Sequence, residues 1–221
     1  MNGKLFVISG PSGSGKTTLA NHVMSEFNNL KFSVSCTTRQ KRQNEIDGVD
    51  YFFVSRVKFK EMIDKGMFAE WALVHGNYYG TPLKNIKEAV NKGMDILLDI
   101  DVQGASQLKD NIEDAVFIFV VPPSIELLEE RLKKRNLDKK EDISLRMNVV
   151  KQEIEQAKEY DYIIINDDIN TAKEAIKSII IAEKSFKNSN DDEIQESLII
   201  SDRFKSSKIY GDIILNKFEL N

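Results

Sequence analysis

The 221-residue chain is short of several residue types, and each scarcity closes off a class of protein. A single cysteine, Cys36, forbids an intrachain disulfide, and a cytoplasmic, reducing setting is the simplest reading. No apolar run approaches the roughly 20 residues that a membrane-spanning helix requires. The N-terminal run "LFVIS" is too short for the apolar region of a secretory signal. A basic excess is also missing. With 31 Lys and Arg against 35 Asp and Glu, the formal charge of −4 argues against a non-specific nucleic-acid binder, whose affinity rests on many phosphate contacts from a basic face. The two histidines, His22 and His75, read as structural or surface residues.

What is present suits one globular α/β domain: 41% apolar and aromatic residues, 30% charged, and a length too short for two independent domains. Strand-like and helix-like segments alternate, which predicts a parallel sheet wound with crossover helices. Strands are expected at "KLFVIS" (4–9), "FSVSCT" (32–37), "MFAEWALV" (67–74), "DILLDID" (95–101), "AVFIFVV" (115–121) and "YDYIIIN" (160–166), with a tight loop at "HGNYYGTP". Helices are expected over Thr17 to Phe27, around Val57 to Ile63, from Leu83 to Asn91, after a Ser124 cap, around Ile143 to Ile154, and from Ala172 to Ile180. Residues 187–221 read as an appendage, a helix or strand packed on the body, with no chemistry assigned.

Gly10 to Thr17, "GPSGSGKT", fits G-x-x-x-x-G-K-[ST] at every fixed position and lies between a predicted strand and helix. Gly10, Gly13 and Gly15 let the backbone bend around an anion, and the N–H groups of Pro11-flanked Ser12, Ser14 and the following residues can surround phosphate oxygens at a helix N-terminus. Lys16 supplies a mobile charge, and the hydroxyl of Thr17, next to Thr18, can join a Mg²⁺ shell. Such a loop takes a nucleoside triphosphate, and Mg²⁺ wants a carboxylate nearby. "DILLDID" delivers Asp99 and Asp101 to the carboxyl end of a central strand, where open α/β sheets bind ligands. Two residues apart on a strand, they are expected to share a side, although strand-end aspartates also cap helices. Between loop and strand, Arg39, Lys41 and Arg42 cluster, as expected either of a second phosphate site or of a solvated basic turn. Tyr51, Tyr78 and Tyr79 can bond a phosphate or stack on a base, and Glu70 is a carboxylate among apolar neighbours. Trp71 and the strand aromatics Phe117 and Phe119 read as core.

The blocks "ISGPSGSGKTT", "FSVSCTTRQKR", "GVDYFFVS", "FAEW", "GNYYGT", "LLDIDVQG", "FVVPPS" and "IINDD", in this order from about Leu5 to Glu183, resemble the guanylate kinases, P-loop enzymes that phosphorylate GMP. The resemblance implies a guanylate kinase-like domain over 1–186, with a parallel-sheet core (1–34, 95–130 and 150–186), a GMP-binding insert (35–94) and a mobile lid (131–149), followed by the extension 187–221. It implies ATP as donor, GMP and also dGMP as acceptors, Mg²⁺ as cofactor, and no nucleic-acid or membrane partner; a homo-oligomer is compatible with it. On the family pattern Arg39, Arg42, Tyr51 and Tyr79 would hold the GMP phosphate, while Ser35, Glu70, Thr81 and Asp101 would read guanine. Asp99, with Thr17, would serve the metal. Lys16, Arg39 and the lid residues Arg131, Arg135 and Arg146 would carry charge through the transfer. Asn166 and Asp167 match residues near adenine. Lys41 and Asn44 stand where the family usually has proline and glycine, and Thr81 replaces a more usual serine, so loop changes rather than lost binding are expected. Two rivals stay open. One is a kinase on the same scaffold with another acceptor, such as the ribose-bisphosphate kinases; Ser35, Glu70, Tyr79 and Thr81 together argue against it. The other is a non-catalytic, phosphopeptide-binding relative, against which the intact Gly10 to Thr17 speaks.

Overall fold

The computed structural model describes residues 3–74, 76–112, 114–134, 149–184, 191–218 and 220, with the side chains of 131–134 and 212 outside the description. The chain divides into two compact units, Met1–Val7 with Asn28–Ala115, and Ile8–Phe27 with Val116–Asn221. Strand β1 (Leu5–Ser9) runs across that division and is buried at every residue. A strand buried continuously, rather than at alternate positions, is covered on both faces. The five-stranded sheet has the order β2-β7-β1-β8-β9, where β2 is Leu30–Phe32, β7 is Asp95–Asp99, β8 is Ala115–Val121 and β9 is Tyr162–Ile165.

In the first unit β2 pairs parallel with β7, Phe32 opposite Leu97, and Ile96 N donates to Lys4 O at 2.9 Å. A second sheet, order β4-β3-β6-β5, is formed by β3 (Cys36–Thr37), β4 (Phe52–Phe53), β5 (Phe68–Val74) and β6 (Asn77–Pro82). Helix α2 (Arg56–Asp64), N-capped by Ser55, packs Phe59 and Met62 against Cys36, with Phe59 stacked on Phe68 at 4.4 Å between ring centroids. Helices α3 (Leu83–Asn91) and α4 (Val102–Asn111) complete this unit, burying Ile86, Ala89, Ala105 and Leu108.

The second unit holds the glycine loop, α1 (Lys16–Glu26), α5 (Ile125–Lys134), a helix α6 described over 149–155, and α7 (Ile169–Lys184). Ser124 Oγ accepts from Leu127 N at 3.2 Å at the start of α5, as its sequence position suggests. β8 and β9 pair parallel, Val121 opposite Ile165. Ala172, Ala175, Ile176, Ile179 and Ile180 are all buried along α7. No helix among the described residues is long and apolar enough to cross a membrane.

The structure corrects several expectations. Trp71 is 36% exposed on β5, an edge strand, rather than core. Residues 32–37 are not one strand: β2 ends at Phe32 and β3 begins at Cys36, in a different sheet. Within the expected "HGNYYGTP" loop, Gly76 is a turn residue and Asn77–Pro82 form strand β6, antiparallel to β5 and β3. Its turn-like composition is overridden by pairing on both sides, and Gly80 is required there because a Cβ would lie 2.9 Å from the Phe68 ring. α4 follows β7 directly, a helix that the aspartate run concealed.

The appendage is a set of helices joined to the body, α8 (Asp192–Arg203), α9 (Ser206–Ile209) and α10 (Leu215–Phe218). Its linker reaches the free edge of β9: Ile163 N donates to Phe204 O at 2.8 Å and Ser206 N to Asp161 O at 3.0 Å. Tyr162 OH donates to Glu183 Oε1 at 2.6 Å and accepts from Lys205 Nζ at 3.1 Å. Ile209, Ile214 and Phe218 are buried.

Candidate active site

The predicted site residues gather into two groups, one in each unit. In the second unit Gly10 and Gly15 adopt φ of 134° and 102°, and both need the absence of a side chain. A Cβ on Gly10 would stand 2.2 Å from Val120 O; one on Gly15 would stand 2.1 Å from Asn166 Nδ2. Lys16 folds back over the loop, its Nζ donating to Gly10 O (2.7 Å) and Pro11 O (3.0 Å). Gly15 occupies the N-cap of α1 with no side-chain cap bond, Thr18 N and Leu19 N donating to its carbonyl at 3.1 and 3.2 Å, and the positive end of the helix favours an anion at the loop. Pro11 and Ser14 are buried; Ser12, Thr17 and Thr18 are exposed. Asn166 is buried beneath the loop, its Nδ2 donating to Ser14 O at 2.7 Å, so its amide supports the loop backbone. Asp167 is exposed beside it. Arg135 and Arg146, like His75, lie outside the described residues, as does the side chain of Arg131.

The first unit assembles a carboxylate and two hydroxyls. Glu70 and Thr81 are register partners across β5 and β6, next to a shift in pairing between Phe68 and Glu70 that re-aims the strand. Thr81 Oγ1 donates to Glu70 Oε1 at 2.5 Å and stands 3.4 Å from Ser35 Oγ. Glu70 is 4% exposed. Burial pushes its carboxyl up to about 7, the Thr81 hydrogen bond working against that rise and the nearby Asp101 charge adding to it. Asp101 lies just beyond the strand rather than on it. Its Oδ1 accepts from Gly104 N at 2.8 Å as the N-cap of α4, so the capping role is real and occupies one oxygen. Asp99, at the carboxyl end of β7, is half-buried, and its charge helps to raise the Tyr51 phenol, after burial.

Beside this group lies a guanidinium cradle. The Arg39 carbon Cζ sits 5.4 Å from the Tyr51 ring centroid and 5.7 Å from that of Phe53, and Tyr51 meets Tyr79 edge to face at 5.9 Å. Arg39 also bonds Glu45 with both ends of its fork, Nη2 to Oε1 at 2.7 Å and Nη1 to Oε2 at 3.0 Å. That pair holds the Glu45 carboxyl down at about 2. Glu45 Oε2 also accepts from Arg42 N at 2.8 Å, whereas the Arg42 side chain is 64% exposed. The fold therefore joins Arg39, Tyr51 and Tyr79 and leaves Arg42 at the rim. Glu45 was missed in the sequence; its signal was an acid three residues after Arg42 and six after Arg39, in a segment where basic residues drew the attention.

No group of three or more His, Cys, Asp or Glu residues gathers among the described residues. Thr17, exposed in the second unit, and Asp99, half-buried in the first, each carry an oxygen of the kind Mg²⁺ prefers.

A family model described as guanylate kinase matches residues 2–183. The chain is 53% identical over 182 residues to a guanylate kinase of Syntrophotalea carbinolica, covering 82% of this chain and 87% of that one. With a guanylate kinase of Thermotoga maritima it shares 44% identity over 195 residues, 88% of this chain and 94% of the other. The crystal structure of guanylate kinase from Anaplasma phagocytophilum superposes with a TM-score of 0.70 at 37% identity, covering 84% and 88% of the two chains. With a buried, hydroxyl-bonded carboxylate in one unit and an intact phosphate loop in the other, the chain belongs to the guanylate kinase family.

Proposed function

We propose that this chain transfers the γ-phosphoryl group of ATP to GMP, and to dGMP, giving GDP or dGDP and ADP. The observation that carries the reading is buried Glu70, bonded by Thr81, in a chain of the guanylate kinase family. Guanine presents N1–H and N2–H₂ on one edge, two parallel donors that a single carboxylate accepts. Adenine lacks this pair and would leave Glu70 unsatisfied in a buried place, the situation in which discrimination is strongest. The Ser35 hydroxyl approaches the edge where O6 and N7 accept, the Thr81 hydroxyl spends its proton on Glu70 and so orients the carboxylate that reads the base, and Asp101, at the α4 cap beside Glu70, completes the guanine-reading group.

The acceptor is a GMP phosphate oxygen, already anionic at neutral pH, so no side chain has to remove a proton. That oxygen forms a bond to Pγ as the bond from Pγ to the β-bridging oxygen breaks, and ADP leaves with the electron pair. What the chain supplies is position and positive charge. Arg39 and Arg42, with Tyr51 and Tyr79, hold the GMP phosphate. Lys16 and the loop from Gly10 to Thr18 hold the ATP phosphates, with Asn166 and Asp167 at the adenine end. Arg131, Arg135 and Arg146 close over the transferring group from the lid, and the segment 35–94 acts as the GMP-binding subdomain. Thr17 and Asp99 are the residues that would serve Mg²⁺ bound with ATP, which would neutralise charge on the phosphate oxygens. The single cysteine supports a cytoplasmic setting.

Two variants test this reading from opposite ends. Lys16→Ala should lower kcat by about 10²-fold or more, the scale of losing one charged transition-state partner, with the GMP dissociation constant little changed. Glu70→Gln should instead raise KM for GMP and narrow the preference for GMP over AMP. A Glu70→Gln enzyme that keeps the parent's base preference contradicts the guanine assignment.

A further inference from the structure

β5 is an edge strand of its sheet, so the outward N–H and C=O at Trp71 have no neighbouring strand to meet. They are met by one side chain. Trp71 N donates to Gln107 Oε1 at 3.2 Å, and Gln107 Nε2 donates to Trp71 O at 2.7 Å. A primary amide is a peptide group in miniature, and here it pairs with the edge as a one-residue strand would. Gln107 sits on α4 one turn beyond Gly104, whose N–H donates to the cap residue Asp101. A Cβ on Gly104 would stand 2.3 Å from Glu70 Oε2. Asp101, the cap, raises the Glu70 carboxyl through its charge. The cap and two positions of α4 therefore bear on the residue before Trp71: a charge, a contact that tolerates no side chain, and a two-bond clamp on the adjoining backbone.

We propose that Gln107 is a positioning residue for guanine selection, locking the β5 edge at Trp71 so that the Glu70 carboxylate is held over the Gly104 gap in the orientation two parallel donors require. The proposal rests on the guanine-reading role assigned to Glu70. Without the clamp, Glu70 keeps its Thr81 bond but gains rotational and strand-edge freedom, and its second oxygen is no longer held against α4. A small misplacement of a group that must make two bonds at once costs most on the second bond, the one to the 2-amino group.

Gln107→Met tests this, since it keeps side-chain length and helix propensity and removes both bonds. KM values for GMP, IMP and ATP, kcat, and the melting temperature are measured together. Trp71 is the only tryptophan of the chain, so its fluorescence follows GMP and IMP binding without turnover. IMP lacks the 2-amino group and reports on that bond alone. The expected result is a rise of about tenfold in KM and Kd for GMP and a fall of similar size in the GMP-over-IMP preference, with kcat and KM for ATP within about twofold. Gln107→Glu, which keeps an acceptor for Trp71 N–H but loses the donor, should lie between parent and Gln107→Met, and it carries the test if Gln107→Met does not fold. Unchanged GMP-over-IMP preference in a folded variant overturns the proposal. So does a parallel loss in GMP affinity, ATP affinity and melting temperature, which marks a scaffolding role only. A parent enzyme that does not phosphorylate GMP fails the functional reading itself, and the two failures are told apart by that control.

Discussion

Lifting Glu70 from an ordinary carboxyl value of 4.5 to about 7 corresponds to about 3 kcal/mol set against the ionised form in the free protein. Two charge-assisted hydrogen bonds from guanine, each worth about 1.5–3 kcal/mol, are enough to offset that cost. AMP offers neither, and the difference falls where selectivity is needed. The sign of the pH dependence follows. A raised acid stabilises the free protein below about pH 4.5, and this contribution is lost as pH rises through about 7. Guanine needs the carboxylate, so affinity should rise with pH, close to tenfold per unit below 7, and level off above it. Guanosine is the ligand of choice for this titration, since a phosphate monoester itself loses a proton near pH 6. Glu70→Gln should flatten the profile, and a parent profile flat from pH 5.5 to 8 contradicts the assignment. Glu45 acts in the opposite direction: held near 2 by Arg39, it contributes above about pH 4.5 and fades as pH falls towards 2. Glu45→Gln should raise KM for GMP several-fold while KM for ATP stays put, because the loosened fork presents Arg39 less well to the phosphate.

At the scale of elements, the glycine loop and the edge strands carry the consequences. Gly15→Ala would drive a methyl into Asn166 at a φ of 102°, so a loss of ATP binding with GMP binding retained is expected by calorimetry. The C-terminal helices lie beyond the residues matched by the family model, yet they cover the free edge of β9 with backbone hydrogen bonds and bury Phe218 at 1% exposure. Phe218→Ala should cost about 3–5 kcal/mol of stability in denaturant unfolding, and a chain ending at Lys184 should self-associate through the uncovered strand, as seen by light scattering. A truncated chain that melts like the parent and keeps the parent's oligomeric state rejects that role. Local patterns made some elements legible. The helix at about Leu83 to Asn91 and the strand Ala115–Val121 are legible, because helical spacing and a continuous apolar run are properties of the segment itself. Strand β6 was not, since Gly80 and Pro82 look like a turn until β3 and β5 pair with them. The Arg39–Glu45 fork and the Gln107 clamp were illegible for the same reason: each depends on a partner whose proximity only the folded chain creates.

At the scale of the whole molecule, a chain with a formal charge of −4 still places Lys16 on the loop and Arg39 in an aromatic cradle among the described residues. Phosphate-rich ligands are bound by local geometry rather than by overall field. Family membership gives the reaction, and the residues in each unit give the account of its selectivity. The direct test is transfer of label from γ-labelled ATP, with Mg²⁺, across equal concentrations of GMP, dGMP, AMP, UMP and dTMP. The account predicts labelled GDP first, dGDP next, and little or no label in the other three. Label appearing in another acceptor while GMP stays untouched, or released only as inorganic phosphate, would contradict it.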